Sequence, residues 1–277
     1  MNEKRVSVYI PTHNRSSLLE RAIKSVINQT YKNVEILICD DGSSDDTQQL
    51  VERYQAQHDN IVYLKNETPK GACAARNLGI NAATGHYITG LDDDDEFLPE
   101  RIEKFVKFFE RHKYPYLSSG IIFNFGKHQK VGFNKVTHIR LDSLLYQNIV
   151  GSQVFTKTDY LRAIGGFDES FKAWQDYDTW VRLGARYGEG YNICEATYIQ
   201  HLEHEFGRIT KSNKLEIGYN QFVTKHRKLL KPAHRKNLLF NYKMARDERL
   251  SMQDLMQVCY PGNVVNVIKY QARKILM

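Results

Sequence analysis

Short apolar runs alternate with longer stretches of helical periodicity through the first hundred residues. Val6 to Ile10 is apolar and closed by Pro11, and Leu18, Leu19, Ala22, Ile23, Val26 and Ile27 then recur at the spacing of a helix with one buried face. Val34 to Cys39 repeats the strand pattern. Asp45-Asp46-Thr47 opens a second helix, because acidic side chains favour the positive end of the helix dipole. Ile61 to Leu64 predicts a third strand, about Ala72 to Ala83 a helix, and Tyr87 to Leu91 a fourth strand. Pro99 suits the first position of the next helix, whose buried face is Ile102, Phe105, Val106 and Phe109. This alternation predicts an α/β chain with a parallel sheet and crossover helices.

The pattern then loosens. Tyr116 to Phe125 reads as a strand or hairpin arm, Lys127 to Arg140 as a polar loop, Leu141 to Asn148 as a short helix and Val154 to Thr156 as a strand. Tyr177, Trp180, Val181, Gly184 and Ala185 mark a helix, and Ala196 to Gln200 a last strand. Beyond Ser212 the periodicity is wholly helical, broken at Pro232 and Pro261. The expected division is therefore a body over residues 1–210, with halves at about 1–98 and 99–210, and a helical extension over 211–277.

Charge sharpens that division. The net charge is +7, yet residues 211–277 carry fourteen Lys/Arg against four Asp/Glu, a net of +10 that leaves −3 on the body. A basic helical tail on a slightly acidic body fits an anionic membrane surface. Val264, Val265, Val267, Ile268, Ala272, Ile275 and Leu276 around Lys269, Arg273 and Lys274 have the composition of an interfacial helix, although packing back on the body is the competing arrangement. No nucleic-acid motif accompanies the basic charge, so no nucleic-acid partner is expected. No apolar stretch is long enough to span a bilayer and the first residues lack a signal-peptide core, so the expected location is the cytoplasm, peripheral on the inner face of the cell membrane if the tail docks there. The four cysteines, Cys39, Cys73, Cys194 and Cys259, have no CxxC spacing and read as buried thiols.

The polar residues of unusual type gather after the predicted strands. Pro11-Thr12-His13-Asn14-Arg15 follows the first, Asp40-Asp41-Gly42-Ser43-Ser44 the second, and Asp92, Asp93, Asp94 and Asp95 the fourth. Ligands in open α/β sheets bind outside the carboxyl ends of strands, so three such turns describe one pocket. Four adjacent carboxylates repel unless solvated or neutralised by a cation, and hard oxygen donors suit Mg²⁺ or Mn²⁺, which would in turn grip a diphosphate.

Four segments in order, VSVYIPTHNR (6–15), ILICDDGSSDDT (36–47), GACAARNLGINAATGHYITGLDDDDEFLP (71–99) and GGFDESFKAWQDYDTWVRL (165–183), resemble the family 2 inverting glycosyltransferases of bacterial surface-polysaccharide type. The resemblance implies a GT-A fold, a Rossmann-like mixed sheet flanked by helices, here with the C-terminal helical extension. It places Pro11, Thr12 and Asn14 at the nucleotide-sugar, with Asp40 or Asp41 on the base. A carboxylate there suits the ring N–H of uracil, which favours a UDP-sugar, although thymine offers the same edge. It also implies Arg76 beside the nucleotide, Asp92 and Asp93 at the donor, and Asp94 on Mn²⁺ or Mg²⁺, with Asp93 as the substitute. His204, or alternatively His201, is the implied histidine metal ligand, and Asp176 the general base.

The implied acceptor is a glycan or lipid-linked saccharide. Gln175 stands where the family usually has Glu, which removes a charge beside Asp176 and makes ionisation easier. That departure keeps open a non-catalytic nucleotide or glycan binder. A sugar-phosphate nucleotidyltransferase would need a glycine-rich phosphate loop after the first strand, and Pro11 to Arg15 contains no glycine.

Overall fold

The computed structural model of the chain describes residues 3–203 and 214–276. β1 (Val6–Thr12), β2 (Val34–Asp40), β3 (Ile61–Lys65) and β4 (Tyr87–Gly90) alternate with helices α1 (Ser16–Ile27), α2 (Thr47–Gln55) and α3 (Ala72–Ala82). β5 (Glu96–Phe97), α4 (Arg101–Arg111), β6 (Tyr116–Asn124), β7 (Gln129–Gly132), β8 (His138–Ile139) and α5 (Leu141–Tyr146) follow. The remaining elements are β9 (Phe155–Lys157), α6 (Thr158–Ala163), α7 (Gln175–Tyr187), β10 (Gly190–His201), α8 (Lys214–Lys225), α9 (Pro232–Ala245), α10 (Met252–Val258) and α11 (Val264–Leu276).

The ten strands among the described residues join one sheet in the order β3-β2-β1-β4-β9-β6-β10-β5, with β7 beside β6 and β8 beside β10. β1 to β4 pair in parallel, as do β6 and β10, while β9 runs antiparallel between the two groups. The carboxyl ends of β1, β2, β4, β6 and β10 therefore open on one edge. Along β1, Val6, Val8 and Ile10 face the helices α1, α2 and α4, whereas Tyr9 faces α3 and α7, as the two-residue period of a strand requires. Burying each such aliphatic side chain stabilises the fold by about 1.5–3 kcal/mol.

α8 and α9 pack on the second face of the sheet: Phe222 and Leu238 are buried in the same cluster as Trp180 and Tyr177. α10 and α11 instead close a small cluster of their own, with Phe240, Leu250, Val258 and Val267 buried. No helix among the described residues is long and apolar enough to cross a membrane.

Several elements differ from expectation. β1 continues through Pro11 to Thr12. Tyr9 O accepts from Leu91 on the β4 side and Thr12 O from Asp41 on the β2 side, so by alternation Pro11 faces β4 just past the end of their ladder, where its missing N–H breaks no bond. The expected loop at 127–140 holds β7 and β8. β7 is an exposed edge strand without a buried face, so alternation could not reveal it. β10 begins at Gly190, ahead of the expected Ala196, and its first half showed no alternation because register shifts and Cys194 at φ +58° kink it. α6 was not expected, and Pro99 stands two residues ahead of the first helical residue of α4. Cys39 and Cys73 are buried, while Cys194 and Cys259 are only half buried; none is in a disulfide.

Candidate active site

The four aspartates after β4 occupy four different environments. β4 passes so close to its neighbours that a Cβ on Gly90 would lie 2.2 Å from Gln153 Oε1 and 2.5 Å from the Tyr9 ring. Beyond it, Asp92 Oδ1 accepts from Arg76 Nη2 at 2.9 Å and Gln153 Nε2 at 3.2 Å, and Tyr9 O–H fixes the Gln153 amide by donating to its Oε1 at 3.0 Å. Asp93 accepts from Thr12 Oγ1 at 2.8 Å and from Arg15 Nη1 at 3.2 Å. Burial nevertheless pushes its carboxyl up to about 6. Asp94 lies 3.4 Å from Arg15 Nη1, and its carbonyl accepts from Arg21 Nη2. Asp95 turns inward to Tyr198 O–H and the His201 amide, and burial raises it well above the ordinary carboxylate range. Arg76 and Arg15 thus offset the repulsion of the run, Arg21 fixes its backbone, and Asp95 serves the fold.

The second turn is held by its own acids. Asp40 is fully buried and accepts from Ser43 N and Tyr63 O–H. Asp41 accepts from Asn66 Nδ2, Lys70 N and Gly71 N, which anchors the entry to α3. A base bound at either would share oxygens already engaged. Asn14, in the left-handed region at φ +53° that asparagine tolerates, donates its N–H to Ser43 Oγ and accepts from Ser44 N, joining the first turn to the second. Asp45 accepts from both Ser16 N and Thr47 N, so one carboxylate serves the starts of α1 and α2.

Asp176 is reached from the other side. α7 begins after Trp174, a left-handed N-cap at φ +62°, and puts Asp176 in its first turn. Its Oδ1 is buried without a hydrogen-bond partner. The nearest strong charges are Arg76, which lowers its pKa, and Asp92, which raises it; burial exceeds both and pushes it up to about 7. The helix dipole and the neutral Gln175 favour ionisation but do not win. Arg76 is itself buried above the Phe167 ring, 5.2 Å away, and its Nε and Nη1 are unpartnered. Asp92, Arg76 and Asp176 therefore form one constellation across β4, α3 and α7.

Other expected residues lie apart from it. The ring nitrogens of His201 are each 2.7 Å from a carboxylate, Nε2 from Glu96 and Nδ1 from Glu203, which commits the ring to that pair. His204 lies outside the described residues. Among the described residues no three His, Cys, Asp or Glu side chains cluster as a metal site. A divalent cation of this kind usually takes one or two carboxylates together with substrate phosphates, and a cationic group, the Arg15 guanidinium, already bridges Asp93 and Asp94. The donor set at Asp92 to Asp94 thus fits a hard cation. Tyr9, Gln153 and Arg21 went unnoticed in the sequence: Tyr9 lay inside an apolar run and Gln153 in an irregular stretch, whereas Arg21 sits among the charged positions of α1.

A mixed sheet with acidic loops at one edge and a facing carboxylate defines a nucleotide-sugar-transferase architecture of GT-A type. Residues 7–164 match the family described as Glycosyl transferase family 2, and the chain belongs to that family and is a glycosyltransferase. It is 37% identical over 263 residues, 92% of this chain and 93% of the other, to WcaA of Escherichia coli K12, provisionally named a colanic acid biosynthesis glycosyl transferase. Over 108 residues, 39% of this chain and 42% of the other, it is 38% identical to the Escherichia coli enzyme WfaP, named a UDP-Glc:alpha-D-GlcNAc-diphosphoundecaprenol beta-1,3-glucosyltransferase. Among solved structures, S. aureus TarS 1–349 in complex with UDP-GlcNAc superposes with a TM-score of 0.73 at 19% identity, covering 96% of this chain and 81% of that one, a likeness of fold.

Proposed function

We propose that the chain transfers a hexosyl or N-acetylhexosaminyl unit, with inversion, from a UDP-sugar to a glycan or lipid-linked saccharide in surface-polysaccharide synthesis. The observation that carries this reading is the meeting of Asp92, Arg76 and Asp176, with unpartnered atoms on the last two. The names of the relatives support the pathway class, and the carboxylates at Asp40 and Asp41 support uracil as the base.

In this reading Pro11, Thr12, Asn14 and one of Asp40 or Asp41 shape the nucleoside pocket, with Asp92, Asp93 and Arg76 around the diphosphate and sugar. Asp94, with His204 rather than His201, whose ring is committed to Glu96 and Glu203, would hold Mn²⁺ or Mg²⁺, which when bound would supply charge neutralisation for the departing diphosphate. Asp176, once ionised, takes the proton of the acceptor hydroxyl as that oxygen bonds to the anomeric carbon. The bond from this carbon to the diphosphate oxygen breaks on the opposite face and UDP leaves with the electron pair, so configuration inverts. Arg76, held beside both Asp92 and Asp176, meets the charge that develops between them.

The basic tail belongs to the acceptor side of this reading. Val264, Val265 and Ile268 share an exposed stripe of α11 with Lys269 at its border, and Met252 and Met256 are exposed one helical turn apart on α10. An apolar stripe edged by cations fits an anionic bilayer surface on the cytoplasmic side. Flotation with vesicles containing phosphatidylglycerol, but not with phosphatidylcholine alone, is the expected result; equal flotation with neither removes this part.

The decisive test of the donor is a screen of nucleotide-sugars for UDP release, paired with calorimetry of UDP in Mn²⁺ and in excess chelator. Tighter binding in Mn²⁺ is expected. Equal affinity in the two buffers would exclude a metal bridge at Asp94.

A further inference from the structure

Asp176 also lines a cleft of about 460 Å³, in the range that holds small-molecule ligands, whose walls include neither Arg76 nor any of the four aspartates after β4. One wall is the start of α7, with Trp174, Gln175 and Asp176. Facing it are Leu238, Asn241 and Ala245, which at spacings of three and four residues form a single stripe of α9. Asp176 therefore stands between two chemically different spaces. Its charged neighbours Arg76 and Asp92 lie on the donor side, whereas the lining of this cleft contains no Lys or Arg among the described residues. A diphosphate would find no countercharge in it. A neutral polyol would find side-chain amides that donate and accept, since the Gln147 and Gln175 side chains make no hydrogen bond among the described residues.

Trp174 adds an apolar platform. A bulky residue in the left-handed region costs about 1–2 kcal/mol and persists only where its surroundings hold it. Here Phe222 and Tyr219 of α8 pack edge-on against the indole with ring centroids 5.5 and 5.7 Å away, and leave it half exposed in the cleft wall. Sugar rings carry hydroxyls at their rim and C–H groups on their faces, which match amides and an aromatic surface respectively.

We propose that this cleft is the saccharide-acceptor site and that the C-terminal helices, chiefly α9, form its outer wall and select the acceptor. The assignment rests on the reading of Asp176 as the base. It gives α8 and α9 a role in specificity that the charge of the tail did not suggest.

Saturation-transfer NMR with the methyl glycosides of glucose, galactose and N-acetylglucosamine, in the presence of UDP, tests it. Saturation of the ring protons is expected with at least one glycoside. Ala245→Phe, at an exposed helical position, fills the cleft and should weaken that binding by about tenfold or more, the equivalent of at least about 1.4 kcal/mol. Gln147→Ala, also exposed, should weaken it severalfold. UDP affinity by calorimetry, unchanged in both variants, shows that each is folded. Undiminished saturation in Ala245→Phe, or none with any glycoside in a wild-type protein that binds UDP, overturns the proposal. Failure of the wild type to bind UDP removes instead the donor reading beneath it.

Discussion

The carboxyl edge of β1, β2 and β4 and the first turn of α7 treat their acids in opposite ways. At the sheet edge Asp40, Asp41, Asp92, Asp93 and Asp95 all accept hydrogen bonds from the chain itself. In α7, Asp176 keeps one buried oxygen without a partner, while Asp178, two residues on, collects Arg182, Lys225 and His226. Burial alone would raise Asp178 as it raises Asp176, yet the hydrogen bond from His226 and the charges of Arg182 and Lys225 hold it below the usual range. Acids that build the fold are saturated. Among the described acids with a buried oxygen, the one left unsatisfied is Asp176, which lies beside Arg76 and Asp92 and lines the neutral cleft, as the proposed base should.

Substitution separates the two kinds of acid. Asp176→Asn should lower transfer by about 10²–10⁴-fold, the usual contribution of a general base, with UDP affinity unchanged. Near-normal turnover would put the base elsewhere. Asp178→Ala leaves Arg182, Lys225 and the buried His226 without their shared acceptor and should destabilise the fold by about 1–3 kcal/mol in denaturant titrations; a neutral result would mean α8 does not depend on this network. Arg76→Met removes the guanidinium that lowers the pKa of Asp176, so the acidic limb of the pH–rate profile should move to higher pH and UDP should bind about tenfold more weakly. An unmoved limb would uncouple Arg76 from the base.

The smallest effect concerns stability without ligand. Because the folded pKa of Asp176 is raised, the folded state holds its proton between about pH 4 and about pH 7 while the unfolded chain has lost it, and stability falls as pH rises across that window. Asp176→Asn should therefore melt about a few degrees above wild type at pH 8, with the gap closing by about pH 4. A gap of the same size at both values would assign it to packing.

The parallel half of the fold was legible because each strand there ends in turn-forming residues and each helix shows one clean apolar face. Asp92 and Asp176 stood out through their motifs. Their supporting residues did not, since Gln153 reaches Asp92 over 61 residues of sequence and Tyr9 reaches Gln153 over 144. β7 was invisible because it pairs through backbone without burying a face, and β8 because two residues, of which Ile139 alone is buried, are too few to show an alternation. The tail read as one basic extension from its charge, and only packing separates α8 and α9, which lie against the second face of the sheet, from α10 and α11. The direction of the Asp176 shift was equally hidden, because it depends on burial beside Arg76.

The most direct measurement is the pH dependence of kcat/KM for transfer in wild type and Asp176→Asn. With Asp176 as the base, the wild-type rate should rise about tenfold per pH unit and level off near pH 7, the value to which burial pushes the carboxyl, and the residual rate of the variant should lack that limb. The same limb in the variant, at the same pH, would contradict the assignment of Asp176.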